Sequence, residues 1–304
     1  MSPLRGTLLL ATYTTLTALG FLLVGYDIGV LGGVIVSRSF SESFNHPSAS
    51  LLGTIVASFE IGALFGSISA VIFGEQLGRT RSTTVGALVV LVGAVFQAAS
   101  QNVRMLIAAR VVCGLGVGIV NSTVPVLQAE ISPKATRGLF VCIQLTVLNL
   151  GTMLAYWVGY GFTSSKQITG SAQWRIPLAL QIVFIIPLLA LSHFVVPESP
   201  RWLAAHGRIP EAREVLERLH YDSATAEPGA GGGDAEVDSI ITSIADAVKL
   251  DEQFGSGRWV DIWRLLGRED TVRSRRRLLI ACAIQAFQQL GGINGRYCII
   301  FSRW

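Results

Sequence analysis

LLLATYTTLTALGFLLVGYDIGVLGGVIV, residues 8–36, is the stretch whose reading decides the fold. A helix rises 1.5 Å per residue, so about 20 apolar residues cross a hydrocarbon core roughly 30 Å thick. This run exceeds that length and carries one side chain charged at neutral pH, Asp27. It follows a short head holding a single basic residue, Arg5. Too long for the apolar core of a cleaved signal, with no clear small-residue cleavage site after it, it reads as an anchor that stays. Working outward, six further runs have the same character: 51–73, 83–99, 107–127, 139–162, 176–196 and 278–300.

The composition agrees with that reading. Of the 304 residues 51% are hydrophobic and 14% charged, and the mean hydropathy is +0.53. A soluble globular domain has roughly a quarter of its residues charged. Retained Lys and Arg mark the cytoplasmic side of a membrane protein. Most of the 24 fall in the amino-terminal head, 74–82, 128–138 and 197–277, whereas the opposite connections hold only Arg38, Arg104, Lys166 and Arg175. The N-terminus is therefore expected to be cytoplasmic. The net charge of +4 is accounted for by loops facing an anionic leaflet, so no nucleic-acid partner is implied.

The order of segments suggests three parts: a six-span bundle at 1–196, a cytoplasmic helical linker at 197–277, and a seventh span at 278–304. In the linker, Pro210 opens a short amphipathic helix with Val215, Leu216 and Leu219 on one side. A second helical period runs from Val237 to Val248 and a third is expected around Trp259–Leu266. Arg273, Arg275, Arg276 and Arg277 form a basic anchor before the last span.

Ionisable residues inside spans are costly and point to function. Asp27 lies roughly 14 Å from the outer end of its span at 1.5 Å per residue, Glu60 is at a similar depth, and Arg110 is shallower, so that all three could share one layer. A carboxylate beside a guanidinium is held ionised, and protonating it releases the arginine, as a proton-driven switch requires. The alternative is a structural ion pair that pins two helices, and for Glu60 a carboxylate lining a water-filled cavity. Cys113, Cys142, Cys282 and Cys298 all lie in apolar spans without metal-ligand spacing and read as small buried hydrophobes. The four histidines are scattered. With no metal cluster, nucleophile and base pair or phosphate loop, neither a metal nor a cofactor is expected, and an enzyme is the least favoured class.

Several motifs in order resemble the sugar porter branch of the major facilitator superfamily, of fungal type. They are Gly25-Tyr26-Asp27, then Gly78-Arg79-Thr80-Arg81, then Arg110 with Gly114. Glu130 through Arg137-Gly138 follows, with Gln144 and Gly151, Trp174-Arg175 with Pro177 and Gln181, and Pro197-Glu198-Ser199-Pro200-Arg201. The run Gln288-Gln289-Leu290-Gly291-Gly292-Ile293-Asn294 closes the match. The resemblance implies an all-α integral membrane fold: a six-helix N-terminal half of two inverted three-helix repeats, plus a cytoplasmic helical segment and a seventh span. It implies proton symport of a sugar, a hexose, a pentose or a related solute, across the plasma membrane. Asp27 and Arg110 would be the coupling pair, with Glu60 a further candidate.

The same resemblance implies that Gln144, Gln288, Gln289, Asn294 and Tyr26 contact sugar. Amides suit hydroxyl-rich ligands, since they donate and accept without the desolvation cost of charge. It further implies a cytoplasmic gate of Glu75, Arg79, Arg81, Glu130, Arg137, Glu198 and Arg201. Gln76 and Glu75 stand where the family has arginine and aspartate, and Gly295-Arg296-Tyr297-Cys298 departs from its tyrosine pair. Competing readings are a sugar-sensing receptor and an inactive or regulatory fragment, which a chain cut off after its seventh span would favour.

Overall fold

The computed structural model describes residues 4–35, 37–132, 136–164, 168, 170–219, 237–246 and 274–290. The seventh span is thus covered only to 290, and Asn294 and the helix expected around Trp259–Leu266 lie outside the described residues. Those residues are helical, with no strand among them. The chain divides into two compact units, Met1–Ile241 and Thr242–Trp304.

The first unit is a bundle of α1 (Gly6–Ile35), α2 (Arg38–Ser43), α3 (Ala49–Leu77), α4 (Arg79–Ala98), α5 (Val103–Ile131), α6 (Arg137–Ser164), α7 (Ala172–Leu180) and α8 (Ile182–Ala190), the last continued by a wider turn at Leu191–Val195. α9 (Pro200–Ala205) and α10 (Ile209–Leu219) complete it. Among the described residues six helical segments are long and apolar enough to cross a membrane: α1, α3, α4, α5, α6 and Ala172–Val195. These match the first six runs of the sequence, with ends that differ by one to four residues. The protein is a multi-pass membrane protein.

Glycine sets how close the helices come. A β-carbon on Gly62 would stand 2.2 Å from the Val111 carbonyl oxygen, and one on Gly114 would stand 2.2 Å from that of Phe59. α3 and α5 therefore touch backbone to backbone, the contact that small residues permit in lipid, where no hydrophobic force drives helices together. α1 meets α6 in the same way: Gly25 abuts Leu148 and Gly151 abuts Leu22, and Thr152 Oγ1 donates to the Gly25 carbonyl at 3.0 Å. Gly114→Ala should destabilise the bundle by about 1–3 kcal/mol through forced separation of α3 and α5. Gly53→Ala, which meets nothing within 4 Å, supplies the control. Thermal unfolding midpoints in detergent check this, and an unchanged midpoint for Gly114→Ala would contradict the packing.

The sixth span departs from the single run at 176–196 that hydropathy suggests. It is broken at Gln181, between α7 and α8, and relaxes into the wider turn four residues after Pro187. Pro177 and Pro187 lie inside helices, where each removes an N–H from the ladder and crowds the preceding turn. The Pro177 carbonyl is taken up by the Tyr26 hydroxyl at 2.8 Å.

The linker begins as the periodicity suggests, with Ala212 and Val215 of α10 buried against Trp202 and Leu203 of α9 and Leu219 packed beside them, while Leu216 is also buried. Ion pairs of Arg213 with Glu217 and of Arg218 with Glu214 run along its wet face. Residues 237–246 are also helical. In the second unit the helix Ser274–Leu290 exposes Leu279, Ile280, Ile284, Phe287 and Leu290.

Candidate functional site

Deep in the bundle α1 presents Asp27 and α5 presents Arg110. Asp27 Oδ1 lies 3.1 Å from Arg110 Nη1, and the two side chains are 0% and 2% exposed. The Phe59 ring of α3 covers the guanidinium at 4.5 Å, a cation–π contact that shields it from one side. Arg110 Nε has no partner among the described residues. A single well-formed contact thus neutralises a buried cation and a buried anion, each of which would be costly alone.

The second carboxylate oxygen is taken by a residue whose role the sequence reading missed. Cys113 Sγ donates to Asp27 Oδ2 at 3.0 Å, so this cysteine is more than a small apolar filler. The signal was its spacing: three residues after Arg110, it shares that residue's helix face. Gln181 brings Oε1 to 4.0 Å from the same sulfur, while its Nε2 is fixed on the Leu178 carbonyl at 2.8 Å. Gln97 is fully buried on α4, one turn after the Gly93 that packs on Cys113, and its amide is within reach of the Cys113 thiol.

The other intramembrane candidates are placed differently. Glu60 is exposed on α3 beside Ile61, Leu64 and Phe65, and it is not brought to Arg110. Tyr26 is fully buried, its hydroxyl spent on Pro177 and its ring 5.3 Å from that of Phe184. Gln144 is buried on α6 with its amide nitrogen unpaired. Gln288 and Gln289 lie on the helix Ser274–Leu290, their side chains outside the described residues.

At the end of the bundle that carries the α3–α4 connection, charge is organised around Glu198. Its Oε1 accepts from the Thr80 N–H at 2.7 Å and its Oε2 from the Arg81 N–H at 3.4 Å. The carboxylate caps the first turn of α4, where free N–H groups and the helix dipole favour an anion. Gly78 makes room for it: its φ is +92°, and a β-carbon there would stand 2.7 Å from the carboxyl carbon. Beside it Glu130 is held by Arg79 Nη2 at 3.5 Å and by the Ser199 hydroxyl at 2.5 Å.

The carbonyl of Pro197 gathers Tyr13 Oη at 2.9 Å and Thr80 Oγ1 at 3.1 Å. Glu75 contributes its backbone, accepting from Trp202 Nε1 at 2.5 Å. Its carboxylate is on an exposed residue, as are the side chains of Arg81, Arg137 and Arg201. Glu198→Gln should lower stability by about 1 kcal/mol, the scale of a charged cap at a partly wet helix end. Glu198→Asp, too short to reach both N–H groups, should do no better; thermal unfolding compares the two, and a variant as stable as the parent would remove the cap from the account.

The opposite end is closed by rings: Phe40, Phe44 and Trp174 pack with centroids 4.8, 5.9 and 5.2 Å apart. Arg175 lies 5.0 Å over Trp174 and donates to the Ser100 carbonyl at 3.0 Å.

The profile of the family described as "Sugar (and other) transporter" matches residues 13–302. The chain belongs to this family. Among its relatives the transporter criB of Aspergillus cristatus, described as MFS-type, is 35% identical over 90% of this chain and 55% of its own length. The human proton myo-inositol cotransporter is 37% identical over 66% of this chain and 28% of its own. The family member described here thus spans about half the length of the first relative. Its fold is similar to that of the proton:xylose symporter XylE solved with 6-bromo-6-deoxy-D-glucose, with a TM-score of 0.70 and 24% identity over 80% of this chain and 54% of that one. The relatives are transporters of the major facilitator superfamily, not enzymes, which accords with the order of motifs in the sequence.

Proposed function

We propose that this chain acts in proton-driven transport of a sugar or related polyol, with Asp27 and Arg110 as the coupling pair. The observation that carries the proposal is the fully buried contact between these two side chains. A charge pair in that place is expensive, and its breaking by a proton supplies a two-state element that proton binding can bias. The family description supports a sugar as cargo, and the name of the human relative joins a proton to a polyol. Gln144, with its unpaired buried amide nitrogen, is the described residue best suited to a sugar hydroxyl; Gln288, Gln289 and Asn294 are proposed as further sugar contacts by their amide chemistry, and Tyr26 by its place beside Asp27. The charged cluster of Arg79, Glu130 and Glu198, with Glu75, Arg81, Arg137 and Arg201 around it, is the proposed gate. The excess of Lys and Arg in its loops supports a cytoplasmic side for it and for the N-terminus, and the plasma membrane is the proposed location.

The test is sugar uptake into liposomes containing the chain, with and without an imposed proton gradient. A gradient of one pH unit supports roughly tenfold accumulation for one proton per sugar. Hexoses, pentoses and inositols should be compared, and a protonophore should abolish accumulation. Uptake that ignores the gradient would overturn the coupling; saturable sugar binding with no uptake would replace transport by sensing.

A further inference from the structure

We propose that Cys113 is a positioning residue for the coupling carboxylate: its thiol holds the Asp27 oxygen that Arg110 leaves free, and turns to Gln181 when Asp27 takes up a proton. This rests on the reading of Asp27 as the proton carrier. A thiol has one proton to donate. Two acceptors face it, Asp27 Oδ2 at 3.0 Å and Gln181 Oε1 at 4.0 Å. While Asp27 is ionised the carboxylate is the stronger acceptor, because charge-assisted hydrogen bonds exceed neutral ones. Once it is protonated, that oxygen either carries a hydrogen or becomes an ordinary carbonyl, and the amide oxygen of Gln181 competes.

Gln181 is ready for that exchange. Its amide nitrogen is pinned on Leu178, which fixes Oε1 toward the sulfur. The residue also sits at the break between α7 and α8, with Pro177 before it and Pro187 after. The thiol therefore joins the charge state of α1 to the point in the sixth span where the helix ladder is already interrupted. Gln97, buried on α4, adds a further polar partner beside the same thiol.

The groups around Asp27 that carry or can take charge are Arg110 and Cys113 on α5 and Tyr26 on its own helix. α8 carries none, and the wider turn after it has His193; α6 has Arg137 at its first residue with Cys142, Tyr156 and Tyr160, and α7 only Arg175, bonded to Ser100. On α2, Arg38 pairs with Glu42. The charged residues of α10 are Glu211, Arg213, Glu214, Glu217 and Arg218, all in ion pairs, Glu211 with Arg208 just before the helix.

The experiment is infrared difference spectroscopy of the chain in lipid nanodiscs, between high and low pH. The S–H stretch falls in a window clear of other protein bands. The expected result is an S–H band that shifts as the protonated carboxyl band of Asp27 appears and that is missing in Cys113→Ala. In Asp27→Asn the band should stay at its low-pH position throughout. In liposomes, Cys113→Ala should lower gradient-driven accumulation several-fold while exchange without a gradient persists, and Cys113→Ser, which keeps a donor, should restore it. An S–H band indifferent to Asp27→Asn, or full accumulation in Cys113→Ala, overturns this proposal while leaving Asp27 as the proton carrier. Full accumulation in Asp27→Asn overturns both.

Discussion

Arg110→Ala is expected to cost about 3–5 kcal/mol of stability, most of what a membrane bundle has in reserve, because it leaves a buried carboxylate without its counter-charge. Asp27 is 0% exposed and its remaining donor would be the Cys113 thiol, a weak one. The truncation also empties the space under Phe59, whose ring now lies against the guanidinium. Most of the protein should be lost from the folded fraction, read by size-exclusion in mild detergent and by thermal unfolding. The double change Asp27→Asn with Arg110→Ala removes the orphaned charge and should recover a substantial part. Arg110→Lys keeps the charge but loses the planar fork and its stacking, so it should fall between. A stable, well-folded Arg110→Ala protein would show that the pair is not sealed from water in the way the geometry indicates.

Asp27→Asn is expected to abolish gradient-driven accumulation while sparing sugar exchange. Asparagine keeps the shape of the protonated acid, and its amide oxygen can still accept from Arg110, which offsets part of the cost of burying the guanidinium without a counter-charge, so enough folded protein should remain to assay. What it cannot do is change charge. If proton binding at Asp27 selects between two states of the bundle, a fixed neutral side chain removes the only differential interaction by which the gradient acts. Accumulation under a gradient of one pH unit should fall from roughly tenfold to about the equilibrated level, with counterflow of labelled sugar retained. Glu60→Gln is the control, since Glu60 stands exposed on α3 and away from the pair. Loss of coupling in Glu60→Gln with Asp27→Asn still coupled would assign the proton to the wrong carboxylate.

Cys113 shows where legibility ended. All four cysteines looked alike in sequence, each an isolated thiol in an apolar run. Cys113 differs because α5 turns it to the same side as Arg110 and because α1 arrives there with Asp27, 86 residues away in the chain. Glu198 is a similar case. Its motif marked it as charged and near a gate, but only the fold shows that the carboxylate caps the first turn of α4. Tyr26 and Asp27 are neighbours in sequence and point to different work, one into Pro177 and Phe184, the other into Arg110. Successive residues on a helix are about 100° apart, so depth can be counted from the sequence but direction cannot.

The sequence by itself determined the solvent and the spans, because 20-odd apolar residues in a row have no other stable home than a hydrocarbon core, and it named Asp27 and Arg110 as residues that needed each other. The tertiary structure alone decided which oxygen of Asp27 faces which donor, that Glu60 stays outside, and that the sixth span breaks at Gln181. Those outcomes depend on the rotation and register of one helix against another. Here that register is set by the glycine contacts of α1 with α6 and of α3 with α5, pairings between distant segments that no local pattern in the chain encodes.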